Sequence, residues 1–344
     1  MKFRSGGQCA AYLPAIVWVG LLLVSGCGTV ANTAATKGSG GTGTAAATKV
    51  GGGAQLGLVW NGSDATLRPL NGVPGSTMLG AALFPAGTYA VGAYASATKT
   101  ALLIDGKGNL QAMTLPSAQP VLVAQNVPPG AAIAFAPRGG DAVIFVAGGS
   151  SVLMVSGLPQ SAVTSTAAAG AAVLGATVSD AGTLLLATGG GNGGIAITTT
   201  TANGTRASVA TVAALGGMSF VPGSEDILLS DAVANTLTRY HNGGATLLAT
   251  HANGLNQPFL VGASQDGRWA VSADRADGTL LRVDLTGATP AAQSNCACQP
   301  AQMTALGGNA VFELAAPGRS PGWMIEADDA VARVLFIPPA RGGQ

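Results

Sequence analysis

A short pattern returns along this chain at nearly even intervals. A run of small apolar residues ends in Pro, Ser or Asp, a Gly follows, and a second apolar run begins. The pattern reads Leu83-Phe84-Pro85-Ala86-Gly87, Phe135-Ala136-Pro137-Arg138-Gly139, Val178-Ser179-Asp180-Ala181-Gly182 and Phe220-Val221-Pro222-Gly223. It returns as Ser264-Gln265-Asp266-Gly267 and, more weakly, as Ala305-Leu306-Gly307-Gly308. Ser and Asp can bond their own backbone, and Gly accepts positive φ, so each copy is a tight turn. The glycines Gly87, Gly139, Gly182, Gly223, Gly267 and Gly308 lie 52, 43, 41, 44 and 41 residues apart.

The clearest copy, Leu260–Leu285, reads as three short strands joined by two turns, with Asp277-Gly278 as a hairpin signal. Later strands follow in each unit. Thr100–Ile104, Ser151–Val155, Ile195–Thr199, Thr236–Tyr240 and Thr279–Val283 are expected at third-strand positions, and Ala207–Val212 and Ala245–Thr250 at outer ones. A period of 40–45 residues with four strands per unit marks a β-propeller blade. No lasting 3.6-residue stripe argues for helices. The expectation is an all-β fold, a single β-propeller over residues 54–340, with seven blades preferred to six. Leu56–Trp60 and Thr66–Leu70 are expected to pair with Trp323–Glu326 and Arg333–Ile337 and close the ring, because closure removes exposed sheet edges.

The N-terminal region reads differently. Lys2 and Arg4 precede the apolar run Tyr12–Val24, which is too short for a membrane span and ends in Val24-Ser25-Gly26-Cys27. Small residues before a Cys suit a lipoprotein signal peptidase, and residues 1–27 resemble a bacterial lipoprotein signal with its lipobox. That resemblance implies acylation of Cys27, loss of Cys9 with the signal, and a place in the cell envelope outside the cytoplasm. Gly28 after the Cys leans towards the outer membrane. Residues 28–53 hold no aromatic residue and only Val30 and Val50 as sizeable apolar side chains, so they read as a disordered tether. A flexible coil of that length reaches about 25–30 Å. Residues 341–344 form a short tail.

The strand–turn period is similar to those of WD-repeat, YVTN-type and NHL-type propellers, although the Trp-Asp pair of WD repeats is absent. Leu67-Arg68-Pro69-Leu70-Asn71-Gly72-Val73-Pro74-Gly75, and Cys296-Ala297-Cys298 followed by Gly308-Asn309-Ala310-Val311-Phe312 and Trp323, resemble uncharacterised exported propeller-like proteins of soil bacteria. The resemblance implies a fold and carries no catalytic residue.

Chemistry-bearing groups are sparse. Gly189, Gly191 and Gly194 form a GxGxxG string, but Ile195–Thr201 after it is β-branched and strand-like, where pyrophosphate binding needs a helix N-terminus. Cys296 and Cys298 are read as a structural disulfide ahead of free thiols, with redox or metal work behind both. A bridge two residues apart is strained and more oxidising than an ordinary one. His241 and His251 are the chain's two histidines, too few for a multi-histidine metal centre, and no Gly-x-Ser-x-Gly elbow supports a triad. Asp105, Asp180, Asp231, Asp266, Asp277 and Asp284 sit at turns or strand ends. The pairs Glu225-Asp226 and Asp328-Asp329 lack the alternating ligands of a calcium loop. Trp60, Trp269 and Trp323 are read as packing residues before ligand platforms. No catalytic, cofactor or metal residue is therefore assigned.

Charged residues make up 9% of the chain and the net charge is +1, or −1 without Lys2 and Arg4, which argues against a nucleic-acid partner. The preferred function is a lipid-anchored binding or scaffolding module for protein, peptide or glycan, with ligand at a loop-lined end of the axis. The alternative is a propeller enzyme, a metal-assisted hydrolase or lyase, which would need a polar axial cluster. A quinone-dependent dehydrogenase ranks last, since repeated tryptophan docking motifs are missing.

Overall fold

The structure is a computed structural model, and it describes residues 54–338 except 116–118, 192, 288–290, 297, 316–321 and 329–331. Contacts divide the chain into two compact units, Met1–Ala45 and Ala46–Gln344, and every described residue belongs to the second. The signal 1–27 with Cys27, the segment 28–53 and the tail 341–344 lie outside the described residues.

The described chain folds into seven antiparallel sheets, each a meander of consecutive strands. They span residues 55–79, 89–124, 132–168, 173–212, 215–249, 258–295 and 302–337, and are called blades 1 to 7. Blade 1 has three described strands and the others four. The one helical element among the described residues is a 3₁₀ turn, His251–Asn253, capped by Thr250 and ended by Gly254. The protein is a seven-bladed β-propeller.

The cores explain why the sheets stack in a ring. Seven apolar clusters fill the seven seams between neighbouring blades. Leu58 and Leu67 of blade 1 meet Ala101 and Leu103 of blade 2, whose Leu102 and Ile104 meet Ala142 and Ile144 of blade 3. The last seam joins Val311, Met324 and Ile337 of blade 7 to Leu56, Val59 and Leu70 of blade 1. Successive residues of a strand point to opposite faces. Leu184 and Leu186 therefore serve one seam while Leu185 and Ala187 serve the next. A strand buried on both faces reads as a continuous apolar run, which is why the second strands look like LLID, LLLA and ILLS.

Three expectations need correction. Leu56–Trp60 and Thr66–Leu70 do not pair with the C-terminal strands. Gln55–Asn61 pairs with Thr66–Val73 in a sheet of its own, and Gln302–Ala305 begins a complete blade 7. The ring closes face to face, helped by the Gly307 N–H donated to Leu56 O. Thr100–Asp105 is the second strand of blade 2, not the third. Leu83–Gly87 is the connection leading into blade 2, where Gly87 N–H donates to Asp64 O. The turn equivalent to the others is Ser96–Lys99, and Thr98 donates its hydroxyl to Gly139 O, 41 residues on, at 3.3 Å. The 52-residue interval compared two different kinds of turn.

The repeated turns are stitched to one another. Asp180 accepts from Arg138 N at 2.7 Å and Gly223 N at 2.8 Å, joining blades 3, 4 and 5. Asp266 N donates to Asn309 Oδ1 at 3.0 Å, and Asn309 Nδ2 donates back to Asp266 Oδ2 at 2.9 Å. These partners lie 42 or 43 residues apart, one repeat, so the turn signature is also the belt that holds neighbouring blades in register.

Candidate functional site: the axial channel

The first strands of the seven blades line a channel along the axis, blade 1 through Trp60. Its wide end is a cavity of ≈910 Å³ and its narrow end one of ≈280 Å³. The wide cavity is walled by Trp60, Phe145, Leu174, Leu215, Phe259 and Leu260, with Gln302 as its polar side chain. Ile133, Met218, Val261 and Met303 face both cavities. The narrow end adds Tyr94, Phe135, Phe220 and Phe312, with hydroxyls from Ser96, Thr177, Ser219 and Thr304.

Local backbone features shape this wall. The first strands of blades 4, 5 and 6 slip in register between Val173 and Gly175, Leu215 and Met218, and Pro258 and Leu260. The residues that slip out, Leu174, Gly216-Gly217 and Phe259, face the wide cavity, as bulges near sites tend to do. Gly217 lets blades 5 and 6 touch by backbone, since a Cβ there would lie 2.5 Å from Val261 N. Trp60 packs closely against blade 2 because Gly92 has no side chain; a Cβ on Gly92 would sit 2.4 Å from the indole. At the narrow mouth Gln265 of blade 6 reaches across to blade 3 and donates to Pro137 O at 3.3 Å.

Among the described residues that line the channel, the Tyr94 phenol is the one titratable side chain. Burial pushes it up to about 12, so it stays protonated at neutral pH. The wall offers dispersion contact and a few neutral hydrogen-bonding groups.

The residues singled out by sequence lie elsewhere. His241 Nδ1 meets Asp226 Oδ1 at 2.5 Å and its Nε2 meets Asn242, on the outer part of blade 5. Burial would raise Asp226, but hydrogen bonds from His241 and Arg239 outweigh it and its carboxyl titrates below the usual range. His251 Nδ1 contacts Leu255 O at 3.0 Å. No group of three or more His, Cys, Asp or Glu that could hold a metal occurs among the described residues. Gly190–Gly194 closes a hairpin and the strand Ile195–Thr200 follows it. Of the described tryptophans, Trp60 alone faces the channel. Trp269 is buried between the guanidinium groups of Arg268 and Arg282, 4.5 and 4.3 Å from its ring, and Trp323 packs edge-on against Phe336. Asp231 accepts four backbone N–H groups from Ala213, Ala214, Val233 and Ala234. Asp266 and Asp180 belong to the belt. Asp328 is described and Asp329 is not. The Cys296 and Cys298 sulfurs are bonded to each other.

Comparison with known proteins gives the fold and stops there. No protein-family profile and no curated protein sequence matches the chain. Solved structures do. PorZ, a bacterial surface component of the type-IX secretion system of Porphyromonas gingivalis, aligns with TM-score 0.57 and 12% identity over 84% of this chain and 39% of that one. A functionally unknown protein from Desulfotomaculum acetoxidans aligns with TM-score 0.56 and 13% identity over 83% and 100%. A catalytically inactive His-to-Ala variant of virginiamycin B lyase from Staphylococcus aureus, with quinupristin, aligns with TM-score 0.54 and 12% identity over 82% and 95%. At such identities the likeness is one of fold alone.

Proposed function

We propose that the protein is a binding module of the cell envelope, held to a membrane through acylated Cys27, and that the wide end of its channel takes an apolar polypeptide segment. The observation that carries the reading is the wall itself: aromatic and aliphatic side chains, two methionines and exposed strand backbone around ≈910 Å³. Unbranched methionine side chains adapt to varied apolar partners. Cavities of this size with few polar groups are typical ligand sites. A glycan would need more hydrogen-bonding side chains than Gln302 supplies. A metal-assisted hydrolase or lyase would need imidazole or carboxylate groups at the axis, and the described lining has none. That contrast favours binding over catalysis, including for a chain that shares its fold with a lyase.

The test uses a neutral fluorescent probe, N-phenyl-1-naphthylamine. It should bind, and short Leu/Phe-rich peptides should displace it while Asp/Lys-rich peptides do not. Met218→Glu should weaken binding by tenfold or more, equivalent to about 1.4 kcal/mol or more. Unchanged affinity in that variant, or equal competition by charged peptides, would refute the site. Anchoring is tested separately: Cys27→Ser should lose the acyl mass and the membrane fraction, and an unmodified intact N-terminus in the parent protein would refute it.

A further inference from the structure

We propose that the Cys296–Cys298 pair is a thiol–disulfide exchange site that oxidises a dithiol in an apolar polypeptide presented at the wide mouth. Only the choice of substrate rests on the reading of the channel given above.

As a staple the bond contributes little. Its stabilisation by loop closure grows with the logarithm of loop length, so a loop of three residues gains the least. The pair spans a sequence separation of 2 just beyond the strand Ala292–Asn295, which ladder hydrogen bonds already hold to Thr279–Asp284. Chain entropy therefore gives weak reason to join these two sulfurs.

The seat of the loop is independent of the bond. Cys296 N–H donates to Gly278 O at 3.0 Å. Gly278 has φ +74°, and a Cβ there would lie 2.6 and 2.7 Å from the Cys296 and Cys298 carbonyl oxygens. The hairpin turn thus cradles the cysteine backbone directly. It can hold the segment in place while the sulfurs open and close.

The two sulfurs are not equivalent. Cys296 is 3% exposed and packs with Leu280 and Phe312 in the seam between blades 6 and 7, whereas Cys298 is partly exposed. An incoming thiolate meets Cys298 first. It forms a mixed disulfide there, the Cys296–Cys298 bond breaks, and Cys296 leaves as a thiolate that takes up the proton released by the incoming thiol. The second substrate thiol then attacks the substrate sulfur of the mixed disulfide. Cys298 departs and is protonated in turn, and the substrate carries the new disulfide. Two electrons pass from substrate to protein.

Position suggests the substrate. The connection holding the pair leads straight into Ala301, Gln302 and Met303, which line the wide cavity. A polypeptide whose apolar side chains occupy that cavity would bring nearby thiols to Cys298.

The test incubates the folded protein in glutathione buffers spanning reduced to oxidised, quenches with acid, alkylates and locates adducts by mass. A glutathione adduct at Cys298 and a pair that opens within minutes are expected, with Cys296→Ser accumulating the Cys298 adduct. A pair that stays closed in millimolar reduced glutathione while the protein remains folded, or an adduct on Cys296 instead, would overturn the proposal without any variant being needed. A Leu/Phe-rich dithiol peptide should be oxidised at least tenfold faster than an Asp/Lys-rich one. Equal rates for the two would overturn the substrate assignment alone, while the channel reading stands or falls separately on displacement of the fluorescent probe.

Discussion

Glu313 is the residue whose setting is most at odds with its chemistry. It shares a strand face with Val311, in the seam where blade 7 meets blade 1, and burial pushes its carboxyl up to about 8 from 4.5. The folded state therefore holds a proton that the unfolded chain gives up near pH 4.5. Stability from this group is fully present below that value and is lost as pH rises towards 8, at about 1.4 kcal/mol per pH unit. Glu313→Gln keeps the shape without the titration. Its melting temperature should match the parent near pH 4 and exceed it by several degrees at pH 8; parallel profiles for the two proteins would contradict this. Nothing in Val311-Phe312-Glu313-Leu314 announces the burial, since in a strand buried on both faces periodicity cannot tell which side a charge takes. Asp180 and Asp266 were visible, but as turn formers: the side chain that bonds its own turn in sequence logic bonds the next blade in space.

At the scale of strands, the glycine-rich first strand of blade 5, Leu215–Phe220, is what lets two blades meet by backbone. Any side chain on Gly217 would collide with Leu260 and Val261. Gly217→Val should cost about 1–3 kcal/mol by overpacking. Gly189→Ala, with open space around its position, should fall within about 0.5 kcal/mol. Urea midpoints of the two variants check this, and equal shifts would show that the close approach is not needed. The sequence placed most strands because turns bound them and β-branched runs fill them. The strand order of Thr100–Ile104 and the place of Leu83–Gly87 are not legible there, because a Pro-Ala-Gly turn between blades has the same chemistry as one within a blade. The channel wall is not legible in the sequence. Leu215, Met218 and Met303 look like any core residues until the first strand of each unit is known to face the axis.

The molecule as a whole is a ring whose last seam is made of the same material as the others. Truncating the chain before residue 302, and so removing blade 7, would uncover Leu56, Val59 and Leu70 on one side and Trp269, Val271 and Leu280 on the other. Two such apolar faces on one product predict self-association, which light scattering would detect as multimers or aggregate; a monodisperse monomer would show that the seam is dispensable. The steady interval was enough to give the architecture because each sheet has two greasy sides and only a closed circle leaves none over. The circle is not, however, an evenly open pipe. With Gln265 lying across one mouth to Pro137, the ≈280 Å³ end is the harder one to pass and the ≈910 Å³ end the easier doorway. A strand entering at the wide end would lodge by its tip, so dwell time would be governed by how firmly the tip is gripped, not by how much chain trails behind it.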